Sequence, residues 1–327
     1  MQEDSPRYGS GAERARAELE AWALVSAAAA AAGTLDTGAG ARFALVAGRL
    51  ARLGPEQTGA ELLWNPAQGW EACVAADDPR RDLLDLYLPV SSATAARPIT
   101  LGHLGQSLDG FIATSAGDSC AVTGPENILH LHRLRALCDA IIVGAGTVAS
   151  DNPRLTTRLV SGRNPVRVIL DPGCRLPADR RVFSDGEALT LRACVAGGDA
   201  AAAARARGEN ILEVPACGRA LDLGSLVRQL QARGYRRIFV EGGGVTVSSF
   251  LDAGLLDRLH IAVAPLLIGE GRPAVRMPAQ ARLRDCLRLR HRVFRAGEDI
   301  LFDCDLRTGP GGGARSPAEY AAVRRLF

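Results

Sequence analysis

The stretch from Leu134 to Arg158, LRALCDAIIVGAGTVASDNPRLTTR, decides the fold. It leaves a helical pattern, enters the apolar run AIIV at 140–143, and ends that run at two closely spaced glycines, Gly144 and Gly146. A short apolar run bounded by turn residues marks a strand buried on both faces. VGAGTVA at 143–149 fits the dinucleotide-binding pattern G-x-G-x-x-A, and Asp171 closes the next apolar run, VRVILD at 166–171, where a ribose-binding acid would stand. An ordinary Rossmann helix would continue well beyond this point, yet Asp151-Asn152-Pro153 follows directly on Ser150. Proline, and the strain it puts on the residue before it, stop a helix. The spacing predicts a single helical turn with Thr147 near its start, and a backbone that approaches a ligand closely.

A second glycine turn has the same setting. RRIFV at 236–240 reads as a strand, and EGGGVTVSSFL at 241–251 carries three glycines into a helix long enough to hold a phosphate at its start. Free N–H groups of Gly243 and Gly244 and the hydroxyls of Thr246, Ser248 and Ser249 suit that role. Glu241 falls at the strand's C-terminal end, where open α/β sheets place ligand-binding side chains. Working outward, strands are expected at 98–104, 190–195 and 210–214, and helices at 198–207, 221–233 and 244–253. Thr123-Gly-Pro-Glu126 reads as a capping box that starts a helix running to about Leu137. LDRLHIAVAPLLIG at 256–269, LRHRVFRAG at 289–297 and DILFDCDL at 299–306 read as strands, the last two pairing antiparallel. The expected class is α/β: a mixed, mostly parallel sheet with helices on both faces and an antiparallel edge hairpin.

SSATAA at 91–96 is a small-residue boundary, so residues 1–96 form an N-terminal region, 97–307 the α/β domain, and 308–327 a glycine-rich stretch and tail. The N-terminal region holds all three tryptophans (Trp22, Trp64, Trp70) and no motif with recognisable chemistry. Its alanine-rich run, Ala21 to Ala32, is too short to span a bilayer and reads as a helix from about Ala12 to Gly33.

All 39 basic residues are arginine, so chemistry that needs an ε-amine is excluded: a Walker-type phosphate loop, a pyridoxal Schiff base, a Ser–Lys dyad. The net charge of +3 is spread along the chain, which argues against nucleic acid as a partner. Eight scattered cysteines without a CxxC pair read as reduced thiols of a cytoplasmic protein, with no metal centre. Arg154 and Arg158, four apart, and Arg133 and Arg135 on the preceding helix could converge on a phosphate.

Taken together, TLGHLGQSLDGFIA at 100–113, the TGPE helix start, the stretch 134–158, VRVILD, and VEGGGVTVSSFLDAGLLDRLHIAVAPLLIG at 240–269 resemble the RibD C-terminal reductase family of riboflavin biosynthesis, whose fold is similar to dihydrofolate reductase. The resemblance covers about residues 97–305 in the correct order. It implies a homodimeric, NADPH-dependent reductase. Its substrate would be a phosphorylated pyrimidine similar to 5-amino-6-(5-phosphoribosylamino)uracil, whose ribosyl group becomes ribityl by hydride transfer to C1′. Carried over by motif, Gly105, Thr147, Asp151, Gly243, Gly244, Val245 and Thr246 would contact the dinucleotide. Ser119, Arg135, Arg158, Glu241 and His103 would contact the substrate, with Asp151 and Glu241 as the candidate catalytic acids.

The chain also departs from the family pattern. His103 stands where the family has lysine, Ala121 where it has an aromatic, and Asn152 where it has a second aspartate. The zinc-deaminase signatures H-x-E and P-C-x-x-C are absent from the first ninety residues. Two alternatives stand beside the reductase: an enzyme for a related pyrimidine or pterin-like intermediate of another pathway, and a non-catalytic nucleotide-binding protein. If activity needs a charged His103, it should fall between about pH 6 and 8.

Overall fold

The computed structural model describes residues 11–35, 39–120, 122–218 and 220–307. Ala121 and the tail from 308 onward, both subjects of sequence expectations, lie outside the described residues. The chain divides into two units, Met1–Pro98 and Ile99–Phe327.

In the first unit, helix α1 (Gly11–Ala31) precedes a four-stranded antiparallel sheet in the order β2-β1-β3-β4, built from β1 (Ala41–Val46), β2 (Arg49–Leu53), β3 (Leu62–Asn65) and β4 (Gly69–Ala72), and helix α2 (Arg81–Ser91) follows. Ala47 and Gly48 both take positive φ, 49° and 77°, the backbone of a tight two-residue hairpin between β1 and β2. The tryptophans are the core of this unit. Trp64 and Trp70 meet edge to face with ring centroids 5.0 Å apart, Phe43 packs on Trp70 at 5.1 Å, and Trp70 Nε1 donates to the Ala28 carbonyl at 3.1 Å. A buried indole N–H needs such an acceptor.

The second unit begins with β5 (Ile99–Ser107), β6 (Phe111–Thr114), α3 (Pro125–Leu137), β7 (Ala140–Gly144) and α4 (Ala145–Asp151). It continues through β8 (Val166–Leu170), α5 (Arg181–Ser184), β9 (Thr190–Val195), α6 (Asp199–Ala206), β10 (Ile211–Val214), the short ladder of β11 (Ala216–Cys217) with β12 (Ala220–Leu221), and α7 (Leu223–Ala232). It closes with β13 (Arg237–Glu241), α8 (Gly244–Asp252), β14 (Arg258–Ala264), β15 (Gly271–Pro273), β16 (Arg290–Ala296) and β17 (Asp299–Asp305). The main sheet runs β10-β9-β8-β7-β13-β5-β14-β17-β16. Neighbours from β10 to β14 are parallel; β17 and β16 pair antiparallel at the edge, as the sequence pattern predicts.

On β13, Ile238 and Val240 join one core cluster with Leu226 and Leu230 of α7 and Phe250 of α8. Phe239 points the other way and is just as fully buried, so both faces of the sheet are covered.

Two local expectations give way. The TGPE segment forms no capping box: Gly124 is the N-cap, without a side-chain cap, and its N–H donates to Asp299 Oδ2 at 2.8 Å. The Thr123 hydroxyl instead accepts from Asn127 Nδ2 at 2.9 Å. The helix after the first glycine turn is also longer than one turn, running through Asp151 and ending at Asn152 with φ 40°. Asparagine tolerates that left-handed backbone, and Pro153 forbids a continuation.

Candidate functional site

The parallel strands end at two cavities. The larger, of about 830 Å³, lies over the ends of β5, β7 and β13. Among the residues that line it are His103, Gly105, Ser119, Thr147, Asp151, Glu241 and Gly243 to Thr246. The smaller, of about 300 Å³, is lined by Arg135, Arg154, Arg158 and Arg181 together with the Asp151–Leu155 turn. Every residue that the family resemblance assigns to the site therefore lines one cavity or the other, and Asp151 lines both. Two other candidates line neither: Arg133, and Ser248, which is buried and accepts from the Arg276 N–H at 2.8 Å.

The two glycine turns lock together over the larger cleft. Gly243 N–H donates to Thr147 Oγ1 at 3.2 Å, and a Cβ on Gly144 would stand 2.6 Å from Thr246 Oγ1. A Cβ on Gly244 would collide with the backbone carbonyls of Pro273 and Ala274, so only glycine fits where β15 crosses the start of α8. Gly242, at φ +136°, turns the chain from β13 into that helix. Gly105 is held bare from the other side, since a Cβ there would lie 2.8 Å from Thr123 Cγ2. The outcome is a wall of backbone with few side chains on it, opening onto the N-terminus of α8.

An ion pair separates the cavities. Arg135 Nη2 donates to Glu241 Oε1 at 2.6 Å and its Nε to Oε2 at 2.9 Å, a bidentate clamp. Its Nη1 donates to the Thr156 carbonyl at 3.3 Å. Arg135 lines the smaller cavity and Glu241 the larger, so the pair marks their junction. Arg135 is thus a buried partner of the carboxylate that also lines the smaller cavity. Arg158 donates to Thr156 Oγ1 at 2.8 Å, while its backbone N–H donates to His132 Nδ1 at 2.9 Å. Burial, reinforced by Arg135 and Arg154, lowers the Arg158 pKa. Partial burial raises the Asp151 carboxyl above its ordinary value, against the opposing pull of Arg272.

His103 lines the cleft but is only 3 % exposed, with Nε2 3.0 Å from Asn127 Oδ1. The Asn127 amide is oriented by its own bond to Thr123, so His103 Nε2 carries the proton. Burial, then the nearby His260, pushes its pKa down to about 3. The expected loss of a positive His103 charge between pH 6 and 8 is therefore overturned: the ring is already neutral there. His130 and His260 continue this buried cluster, 3.1 Å apart at Nε2 and Nδ1, and His260 Nε2 faces Asp303 Oδ1 at 3.2 Å.

Sequence reasoning missed Arg181 and Arg272. Arg181 comes from a four-residue helix thirty residues beyond α4 and Arg272 from β15, and among 39 arginines neither carried a local signal. No group of His, Cys, Asp or Glu suited to a metal occurs among the described residues.

Residues 101–302 match the model of the RibD C-terminal domain. This chain belongs to the RibD C-terminal domain family. It is 36% identical over 215 residues to a 2,5-diamino-6-ribosylamino-4(3H)-pyrimidinone 5′-phosphate reductase of Methanothermobacter thermautotrophicus, covering 63% of this chain and 97% of that protein. A reductase of the same name from Archaeoglobus fulgidus is 36% identical over 185 residues, 53% of this chain and 83% of its own length. RibD of Acinetobacter baumannii shares the fold with a TM-score of 0.55 and 25% identity, over 70% of this chain and 63% of that one. The present chain thus spans about three fifths of that solved structure, and the RibD match leaves the first unit outside it. The family is one of reductases that use a nicotinamide cofactor, and the larger cleft fits such a dinucleotide. Bare backbone and a helix N-terminus are what a pyrophosphate needs, and Gly243, Gly244, Val245 and Thr246 would hold it there.

Proposed function

We propose that this chain is an NADPH-dependent reductase that converts the ribosyl group of a phosphoribosylamino-pyrimidine to ribityl. The observation that carries the reading is the meeting of two unlike cavities at one ion pair: a glycine-walled cleft suited to a dinucleotide and an arginine-lined pocket suited to a sugar phosphate. The nicotinamide, when bound, supplies the hydride to the sugar's C1′.

The chain's own residues do the rest. The arginines fix the phosphate, Glu241, oriented by Arg135, meets the sugar hydroxyls at the junction, and Asp151 stands where both ligands would come together. A carboxyl whose pKa is raised by burial is suited to hold a proton for the sugar ring oxygen as the ring opens, and we assign that role to Asp151. Ser119 and His103 would contact the substrate from the β5 side, and Gly105 and Thr147 the cofactor.

Two substrates compete within this reading. The uracil form, 5-amino-6-(5-phosphoribosylamino)uracil, follows from the motif pattern. The 2,5-diamino-pyrimidinone form follows from the names of the relatives that are 36% identical. Incubating the chain with NADPH and each compound separately, and following loss of reduced-nicotinamide absorbance, decides between them. Tight NADPH binding with turnover of neither would defeat the proposal. NADPH over NADH is part of the same reading and is tested by the ratio of kcat/KM values.

We further infer a cytoplasmic homodimer, supported by eight unpaired thiols and by exposed Leu266 and Leu267 beyond β14. Sedimentation equilibrium showing only monomer would remove the dimer. No helix among the described residues is long and apolar enough to cross a membrane.

A further inference from the structure

We infer that Arg181 and Arg154 form the anion clamp of the smaller cavity, and that Asn152 is a positioning residue that acts through Arg181. The inference rests on reading that cavity as the sugar-phosphate site. Arg135 has committed three of its donors, two to Glu241 and one to the Thr156 carbonyl, and Arg158 spends one guanidinium nitrogen on Thr156. Arg154 and Arg181 line the same cavity, and neither side chain makes an ion pair or hydrogen bond among the described residues.

Four arginines thus converge on a small cavity whose one carboxylate is Asp151. Like charges this close repel one another, and an incoming phosphate dianion relieves that repulsion while accepting hydrogen bonds in forks. The clamp selects for charge: a sugar with a free 5′-hydroxyl would leave the cluster unneutralised. The cavity thereby becomes the element that distinguishes phosphorylated substrate from its dephosphorylated counterpart.

Asn152 explains how Arg181 comes to be there. The residue takes a left-handed backbone, φ 40°, at the end of α4, and its Oδ1 accepts the backbone N–H of Arg181 at 2.9 Å. That bond ties the turn carrying Pro153 and Arg154 to the start of α5, twenty-nine residues on. Both clamp arginines are then fixed to the same joint. The oxygen is what the joint uses, and the left-handed backbone makes asparagine a favoured residue to present it.

The test uses the full chain and ribose 5-phosphate as probe, with titration calorimetry for its dissociation constant and fluorescence titration of NADPH as a check that each variant is intact. Arg181→Ala and Arg154→Ala should each weaken ribose 5-phosphate by roughly tenfold or more, with NADPH affinity unchanged. Asn152→Gly keeps the left-handed backbone and removes only the oxygen. It should weaken the probe less than Arg181→Ala does, and the double variant Asn152→Gly/Arg181→Ala should be no weaker than Arg181→Ala alone. Should both arginine variants bind the probe within about twofold of the parent, or the parent not bind it at all, the clamp is wrong. Additive losses in the double variant would refute the positioning role of Asn152. Failure of the wider reading looks different: the parent binds ribose 5-phosphate through Arg181 yet reduces neither pyrimidine.

Discussion

The two cavities solve related problems with opposite materials. The larger cleft is walled by backbone: two glycine turns, one hydrogen bond between them, and β15 laid so close to α8 that Gly244 can carry no side chain. The smaller is walled by guanidinium groups drawn from α3, from the turn after α4, and from α5. Backbone donors are already ordered when a ligand arrives, so they recognise shape at little entropic cost. Apart from the buried Arg135, these guanidinium groups sit on long, exposed side chains that must be ordered on binding, and they recognise charge above all. On the proposed reading, one chain holds a site tuned to the outline of its ligand beside a site tuned to its ionisation, with the pair Arg135–Glu241 between them.

That partition is easiest to break at the ion pair itself. Arg135 is 7 % exposed, so Glu241→Ala leaves a buried cation without its partner and should cost about 3–5 kcal/mol of stability as well as turnover. Arg135→Met combined with Glu241→Leu removes both charges and should restore much of the stability, measured by denaturant unfolding, while leaving steady-state turnover abolished. A double variant that regains turnover would mean the pair is only a strut between the cavities.

The next effect separates the two materials. Gly146 has nothing within 4 Å of an added Cβ, and it lies in helix α4. Alanine there should leave the melting temperature unchanged or slightly higher, because alanine is the better helix former. The same methyl projects at the cleft, so dinucleotide affinity should fall by roughly tenfold while ribose 5-phosphate binding is untouched. If Gly146→Ala binds NADPH as the parent does, the cofactor does not approach that turn.

The contrast also explains what could be read in the sequence. Glycine turns are local: Gly144 and Gly146 follow one buried run, Gly242 to Gly244 another, and both patterns survive being read one letter at a time. The strands that carry them, β7 and β13, were legible for the same reason, since strands buried on both faces appear as apolar runs. The arginine clamp is not local. The Arg181 backbone N–H is held by the Asn152 carboxamide, 29 residues back, and Arg135 is paired with Glu241, 106 residues away. The capping box failed in the same way, because Asp299 reaches Gly124 across 175 residues and takes over the N-terminus of α3. His103 could be placed on β5 from its pattern, but only its packing against Asn127 and the His130–His260 cluster shows that it is held neutral.

The smallest expected effect on activity concerns that histidine, and it runs in an unexpected direction for stability. With the His103 pKa near 3 in the folded protein and near 6.5 when exposed, the unfolded chain binds a proton that the folded chain refuses throughout this window. Stability should therefore fall as pH drops from about 6.5 towards 3, by up to about 1.4 kcal/mol per pH unit for each such group, and be flat with respect to His103 above 6.5. His132, pushed down to about 4 by burial and by Arg135 and Arg158, and the buried His130 and His260 act in the same sense. Asp303 adds to it at lower pH. Its carboxylate stays ionised despite burial because His260 and Arg258 hold it, so its contribution is present above the ordinary carboxylate range and is lost below it. Activity between pH 6 and 8 should carry no limb that belongs to His103. Denaturant midpoints measured from pH 4.5 to 8, beside pH–rate profiles of the parent and of His103→Gln, decide the matter. An acid or alkaline limb in that range that disappears in His103→Gln would show the ring titrating at the cleft, and would place a charge where the packing on β5 admits none.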